Sequence, residues 1–187
     1  MYDKKSDVIF LSGHTGNWEW GSLSFCTLDI HQPWAIYRPL KNKPFNNFFL
    51  KNRARFGARL IAMQQVYRTI NEKHEKPFAL TFIADQSPVP EYAYWTKFLN
   101  QDTGFMNGFD KIAIKKDLPV YFAHFKKIKR GYYEVRFDLL CEHPSNLQEN
   151  ELTQLFVNSL EKLILEAPEY WLWSHKRWKH RRPELKN

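Results

Sequence analysis

Two lengths of apolar pattern alternate along this chain, and that alternation limits what it can fold into. Short runs of strand length occupy residues 8–11 (VIFL), 34–37 (WAIY), 59–62 (RLIA) and 78–83 (FALTFI). Longer stretches with helix signals separate them. Residues 18–28 read as a helix with Asn17 as N-cap. Pro44 opens a second helix through PFNNFFLKNRARFG, which Gly57 ends, and residues 66–76 read as a third. A strand joined to the next by a helix must run parallel to it, because the crossover returns the chain to the same end. The expected fold class is therefore α/β, a mostly parallel central sheet flanked by helices.

The remaining chain extends the pattern. Residues 86–104 (QSPVPEYAYWTKFLNQDTG) hold two prolines and several aromatics and read as a long loop. Phe105, Phe109, Ile112 and Ala113 make a helical stripe. PVYFAHF is apolar on both faces, as a central strand is. In YYEVRFDLL, Tyr133, Val135, Phe137 and Leu139 alternate with Glu134, Arg136 and Asp138. That is a half-exposed strand, the second arm of a hairpin through Lys129-Arg130-Gly131 in the C-terminal part. Leu152, Leu155, Phe156, Leu160, Leu163, Ile164 and Ala167 mark a long amphipathic helix.

At 187 residues the chain supports one substantial core and not two comfortable domains, so residues 1–187 read as a single domain. Hydrophobic residues at 43% and charged residues at 26% exclude a disordered chain. An aromatic content of 17% is high enough to leave rings near the surface, in a groove or at a membrane interface. A net charge of +8 favours an anionic partner: nucleic acid, an acidic protein, phosphorylated lipid or an anionic bilayer. Cys26 and Cys141 belong to no CxxC pair, which argues against zinc or a redox motif. A reducing compartment fits, and one bridge stays open as an alternative. No run approaches the roughly 20 apolar residues of a membrane span. The first strand starts almost at once, so the chain reads as the C-terminal part of something longer.

Chemistry concentrates after the strands, where parallel sheets place their ligands. In LSGHTGNWEW, His14 follows the first strand and Glu19 lies five residues on, with Gly13 and Gly16 allowing a sharp bend. A carboxylate on one imidazole nitrogen sets the tautomer and leaves the other nitrogen to take a proton from a hydroxyl. His14 and Glu19 are expected to face each other across this turn. The competing reading is a loop histidine beside a glutamate favoured by the helix dipole. Arg38 and Asp85 also follow strands, which places them on the same rim as His14 if the strands are parallel. Arg38 suits a phosphate or carboxylate. Arg53, Arg55 and Arg59 form a basic cluster beside Phe45, Phe48 and Phe49. Asp85 fits a metal ligand, an acid or, most commonly, an Asx-turn cap with Ser87.

HTGNWEW resembles the His-x4-Asp/Glu block of the glycerolipid acyltransferase superfamily, and more closely that of the lipid A biosynthesis (lauroyl/myristoyl-type) acyltransferases. YRPLKNKPFNNFFLKNRARFG, FIADQSP, FLNQDTGFMNGFDKIA, LPVYFAHFKKIKRGYYEVRF and APEYWLWSHKRWKHRRP resemble further blocks of that family, in its order. Glu19 stands where the wider superfamily has Asp, and GFMNGFD stands where relatives often have Gly-Thr before the helix. The resemblance implies a glycerolipid-acyltransferase-like fold and His14 and Glu19 as catalytic residues. It further implies Arg38, Arg53, Arg55, Asp85 and Gln86 as substrate-binding residues, with no metal and no cofactor. The implied reaction moves a fatty acyl chain from an acyl thioester, typically on acyl carrier protein, to a hydroxyl of a membrane glycolipid precursor such as lipid A. His14 would be the general base. The implied setting is the cytoplasmic face of the inner membrane, bound peripherally or anchored through a further N-terminal segment, with no nucleic acid as partner. Two rivals compete: a basic module that binds nucleic acid or an acidic protein through HKRWKHRR, and a hydrolase that uses the same histidine on water.

Overall fold

Residues 6–28 and 30–183 are described by the computed structural model. Its elements, in chain order, begin with β1 (Val8–Ser12), α1 (Trp18–Phe25), β2 (Gln32–Tyr37), α2 (Lys43–Arg53), β3 (Arg59–Ala62), α3 (Val66–Thr69) and β4 (Phe78–Ile83). A hairpin follows, β5 (Tyr94–Phe98) and β6 (Gln101–Phe105), then α4 (Gly108–Lys116), β7 (Val120–Lys129), β8 (Tyr132–Cys141) and α5 (Glu151–Glu166). Six strands form one sheet in the order β3-β2-β4-β1-β7-β8. All neighbours are parallel except β7 and β8, which form the expected hairpin. The expected α/β architecture with a mostly parallel, helix-flanked sheet is the one observed.

The two-residue period of β1 distributes its side chains to both faces. Ile9 and Leu11 join the main core with Leu80, Phe122, Phe156 and Leu160. Val8 and Phe10 join a smaller cluster against Phe25, Tyr121 and Phe137. α4 and α5 supply buried residues to the main core, whereas α1 lies on the smaller cluster. Leu152, Phe156, Val157, Leu160 and Ile164 bury one stripe of α5, each worth about 1.5–3 kcal/mol in transfer terms. Two glycines let α1 approach β7. Gly16 has φ +56 and sits against the Phe125 carbonyl, and a Cβ on Gly21 would overlap the Phe125 ring.

Three expectations need correction. Residues 86–104 are not an open loop. After a turn at 90–92 the segment pairs as the antiparallel strands β5 and β6, turned by Leu99 and Asn100 at positive φ. Its alternation was obscured by a two-residue turn without glycine. The helix expected over 66–76 covers only α3, preceded by one 3-10 turn, Met63–Gln65. Buried Val66 and Ile70 anchor this short helix, and the polar stretch after it supplies no further core residue. Phe105 belongs to β6 and not to the helical stripe, although it is fully buried. Cys26 and Cys141 are free thiols whose pKa values burial pushes up. Among the described residues no helix is long and apolar enough to cross a membrane.

Candidate active site

Strand register builds the site. β1 and β4 are parallel neighbours with Ser12 opposite Ile83, and the Ala84 amide donates to the Ser12 carbonyl at 2.9 Å. Two residues beyond this matched pair, His14 and Asp85 stand side by side at the carboxyl rim. Asp85 Oδ1 lies 2.5 Å from His14 Nδ1, and Asp85 Oδ2 accepts from the His14 amide at 3.0 Å. The same Oδ2 accepts from the Trp171 indole N–H at 2.9 Å. Asp85 is 3% exposed. Burial opposes its ionisation, but the hydrogen bonds and charge of His14, with the Trp171 bond, overcome that cost and hold its carboxyl below the usual carboxylate range.

This arrangement selects one histidine tautomer. A carboxylate accepts and does not donate, so in the neutral ring Nδ1 carries the proton and Nε2 keeps its lone pair. Gln86, exposed and next in sequence, places its amide nitrogen 3.4 Å from that Nε2. The Trp18 ring meets the imidazole edge to face at 5.0 Å. The site therefore presents an oriented imidazole at its mouth.

Glu19 does not meet His14 in this structure. Asn17 caps α1 by accepting from the Trp20 amide, which sets Glu19 in the first turn of the helix. There it forms a two-bond ion pair with Arg53 at the end of α2, one bond of 3.1 Å. The carboxylate on the imidazole comes from β4 instead. Sequence spacing favoured Glu19 because it is near in the chain, whereas adjacent parallel strands bring together residues 71 positions apart.

The other rim residues separate in the same way. Arg38 follows β2 as expected, is exposed and meets no carboxylate among the described residues. Arg55 is exposed, with its guanidinium 5.8 Å from the Phe56 ring centre. Arg59 pairs with Glu72 at 3.0 Å. Asp85 is not an Asx-turn cap on Ser87, whose amide donates to His175 instead. Among the described residues no group of three or more His, Cys, Asp or Glu side chains is placed to hold a metal ion.

The C-terminal segment completes the enclosure; in sequence it reads as a family-like block and a basic patch, with no residue of it assigned to the site. The Leu172 amide donates to the His14 carbonyl at 3.0 Å, the Gly16 amide donates to the Tyr170 carbonyl at 2.9 Å, and Thr15 bridges Trp171. His175 Nε2 accepts from the Ser87 amide at 3.2 Å. Burial, reinforced by Lys179, pushes its pKa down, consistent with a neutral acceptor. Buried Arg177 donates to the Gly104 carbonyl at 2.6 Å and the Ser87 hydroxyl at 3.2 Å, and burial pushes its pKa down to about 10. These bonds staple the loop after β4 and the β5–β6 hairpin to one strap. The signal available in sequence was the spacing of Trp171, Trp173 and Trp178, too many indoles for a solvated tail.

A family model described as bacterial lipid A biosynthesis acyltransferase matches residues 1–180. A search of curated proteins finds no match.

Proposed function

The chain belongs to the bacterial lipid A biosynthesis acyltransferases, and from that premise we propose that it transfers a fatty acyl chain from an acyl thioester on acyl carrier protein to a hydroxyl of a membrane glycolipid precursor, with His14 as general base. The family makes it an acyltransferase acting in lipid A biosynthesis. The observation that carries the finer reading is the His14 Nδ1–Asp85 contact of 2.5 Å, with Nε2 at the sheet rim.

In this mechanism His14 Nε2 takes the proton of the acceptor hydroxyl as its oxygen attacks the thioester carbonyl. Asp85 stabilises the resulting imidazolium through Nδ1–H. The tetrahedral intermediate collapses with loss of the thiolate, which takes the proton from His14 Nε2 and leaves as a thiol. Ester is formed, thioester is broken, and the histidine returns to its starting state. Gln86 stands where the hydroxyl must approach, and its amide donates to the substrate oxygen. Arg38 and Arg55 face anionic groups of the two substrates, and Glu19 fixes Arg53 beside them. The carrier protein is acidic, which suits a chain of net charge +8.

The test is incubation of the protein with acyl-loaded carrier protein and a lipid A precursor bearing a free hydroxyl, followed by mass spectrometry of lipid and free fatty acid. The reading requires an added acyl chain on the glycolipid, lost in folded His14→Ala. Free fatty acid without acylated lipid would identify a thioester hydrolase. Near-normal transfer by His14→Ala would remove the histidine from the chemistry.

A further inference from the structure

The positive charge of this chain is not spread over it. Residues 30–71 hold eight Lys or Arg and no Asp or Glu, and the rest of the chain carries 20 of each sign. The whole formal excess of +8 therefore lies in one segment, centred on α2. Three of the eight are answered by carboxylates: Arg53 by Glu19, and Arg59 and Arg68 by Glu72. Arg38, Lys41, Lys43, Lys51 and Arg55 are exposed and meet no carboxylate among the described residues.

α2 is also unusual in its burial. None of its eleven residues is buried. Asn46, Leu50 and Arg53, at helical spacing, are its half-covered side, towards the body. Phe45, Phe48 and Phe49 form a second, exposed stripe, which no apolar side of the described residues covers, Phe45 and Phe48 being 60% and 62% exposed. Leu40 and Phe56 extend the apolar surface just before and after the helix. Three phenylalanines on one helix stripe cost solubility unless something apolar receives them.

We infer that α2 and its flanks dock this protein on an anionic lipid surface, with Phe45, Phe48 and Phe49 entering the acyl boundary and Lys41, Lys43 and Lys51 at headgroup level. An exposed helix that combines an aromatic stripe with lysines and no acid has the chemistry of an interfacial helix. An acidic protein would answer the lysines but leaves the phenylalanine stripe unexplained. The surface is tied to the site: Arg53 at the end of α2 pairs with Glu19, five residues after His14. Docking there brings the rim to the bilayer, where a glycolipid hydroxyl is presented. The inference adds a partner surface to the proposed reaction, and its test reads binding alone.

The experiment is vesicle co-sedimentation of the protein with phosphatidylcholine alone and with added phosphatidylglycerol, at low and high salt. Wild type should bind the anionic vesicles selectively and lose that binding in high salt. The variant Phe45→Ser/Phe48→Ser/Phe49→Ser should bind at least tenfold more weakly. Lys41→Gln/Lys43→Gln/Lys51→Gln should bind about a hundredfold more weakly at low salt. Circular dichroism checks that both variants fold, as substitutions on an uncovered helix face should allow. Equal binding to both vesicle types, or wild-type binding by the phenylalanine variant, overturns the inference. Loss in the lysine variant alone marks an acidic surface in place of a bilayer and overturns it too. Failure of vesicle binding leaves the transfer chemistry standing, and absence of transfer leaves the docking result standing.

Discussion

Replacing Asp85 by Asn tests the site at its most constrained atom. The two side chains have the same shape, but one carboxylate oxygen becomes an NH2 group. Oδ2 already accepts from two N–H groups, the His14 amide at 3.0 Å and the Trp171 indole at 2.9 Å. Placing NH2 there would set three donors against one another in a nearly closed space, so the amide oxygen must take that position. The NH2 group then faces His14 Nδ1 and donates to it. Nδ1 becomes the acceptor, the ring proton moves to Nε2, and the base loses the lone pair it needs. The charge that stabilised the imidazolium is lost as well. General-base assistance is worth about 10²–10⁴-fold, and the same swap beside the histidine of a Ser-His-Asp triad costs about 10⁴. Single-turnover acyl transfer should therefore fall by about 10³–10⁴ with the thermal unfolding profile still cooperative. Nitrogen-15 spectra of the His14 ring should show the proton moved from Nδ1 to Nε2. Turnover within about tenfold of wild type, or an unchanged tautomer, would refute this reasoning.

Further expectations follow from the same contacts. Glu19→Gln breaks an ion pair whose two side chains are each 39% exposed, so its cost in stability should stay below about 1 kcal/mol in a urea melt. Its loss of turnover should be at least about tenfold smaller than that of Asp85→Asn, and the reverse order would restore Glu19 as the orienting carboxylate. Gly21→Ala should destabilise the fold, because overpacking against the Phe125 ring, at about 1–3 kcal/mol, outweighs the helix-propensity gain of about 0.5–1 kcal/mol. An unchanged urea midpoint would show that α1 can move off β7 without cost. Stability should fall with acid in two steps. His124 and His175 have folded pKa values depressed by burial, so the unfolded chain takes up protons first as pH drops below about 6.5, and stability is lost until their folded values are passed. Asp85 has a depressed folded pKa, so its contribution is present above about 3.9 and is lost as pH falls through the folded value. A melt series against pH checks both steps, and His124→Asn with His175→Asn should flatten only the first.

Local pattern was enough for the six strands of the main sheet and most helices. The apolar runs at 8–11, 34–37 and 78–83, the Asn17 cap and the amphipathic spacing of α5 act within a few residues, and each appears where that physics puts it. Helix crossovers between short apolar runs already pointed to parallel strands, and parallel strands put His14, Arg38 and Asp85 on one rim. Spacing along the chain could not say which strand lies beside which. The order β2-β4-β1 depends on how whole faces of residues fit, and it is this order that places Asp85 against His14 and leaves Glu19 to Arg53. The same holds for the strap at Trp171 to Arg177, whose polar groups find partners up to 90 residues away. Sequence by itself determined that a histidine stands at the mouth of a parallel sheet. Only the tertiary structure decided which carboxylate holds it, because hydrogen bonds at the end of a sheet form between neighbouring strands and not between neighbours in the chain.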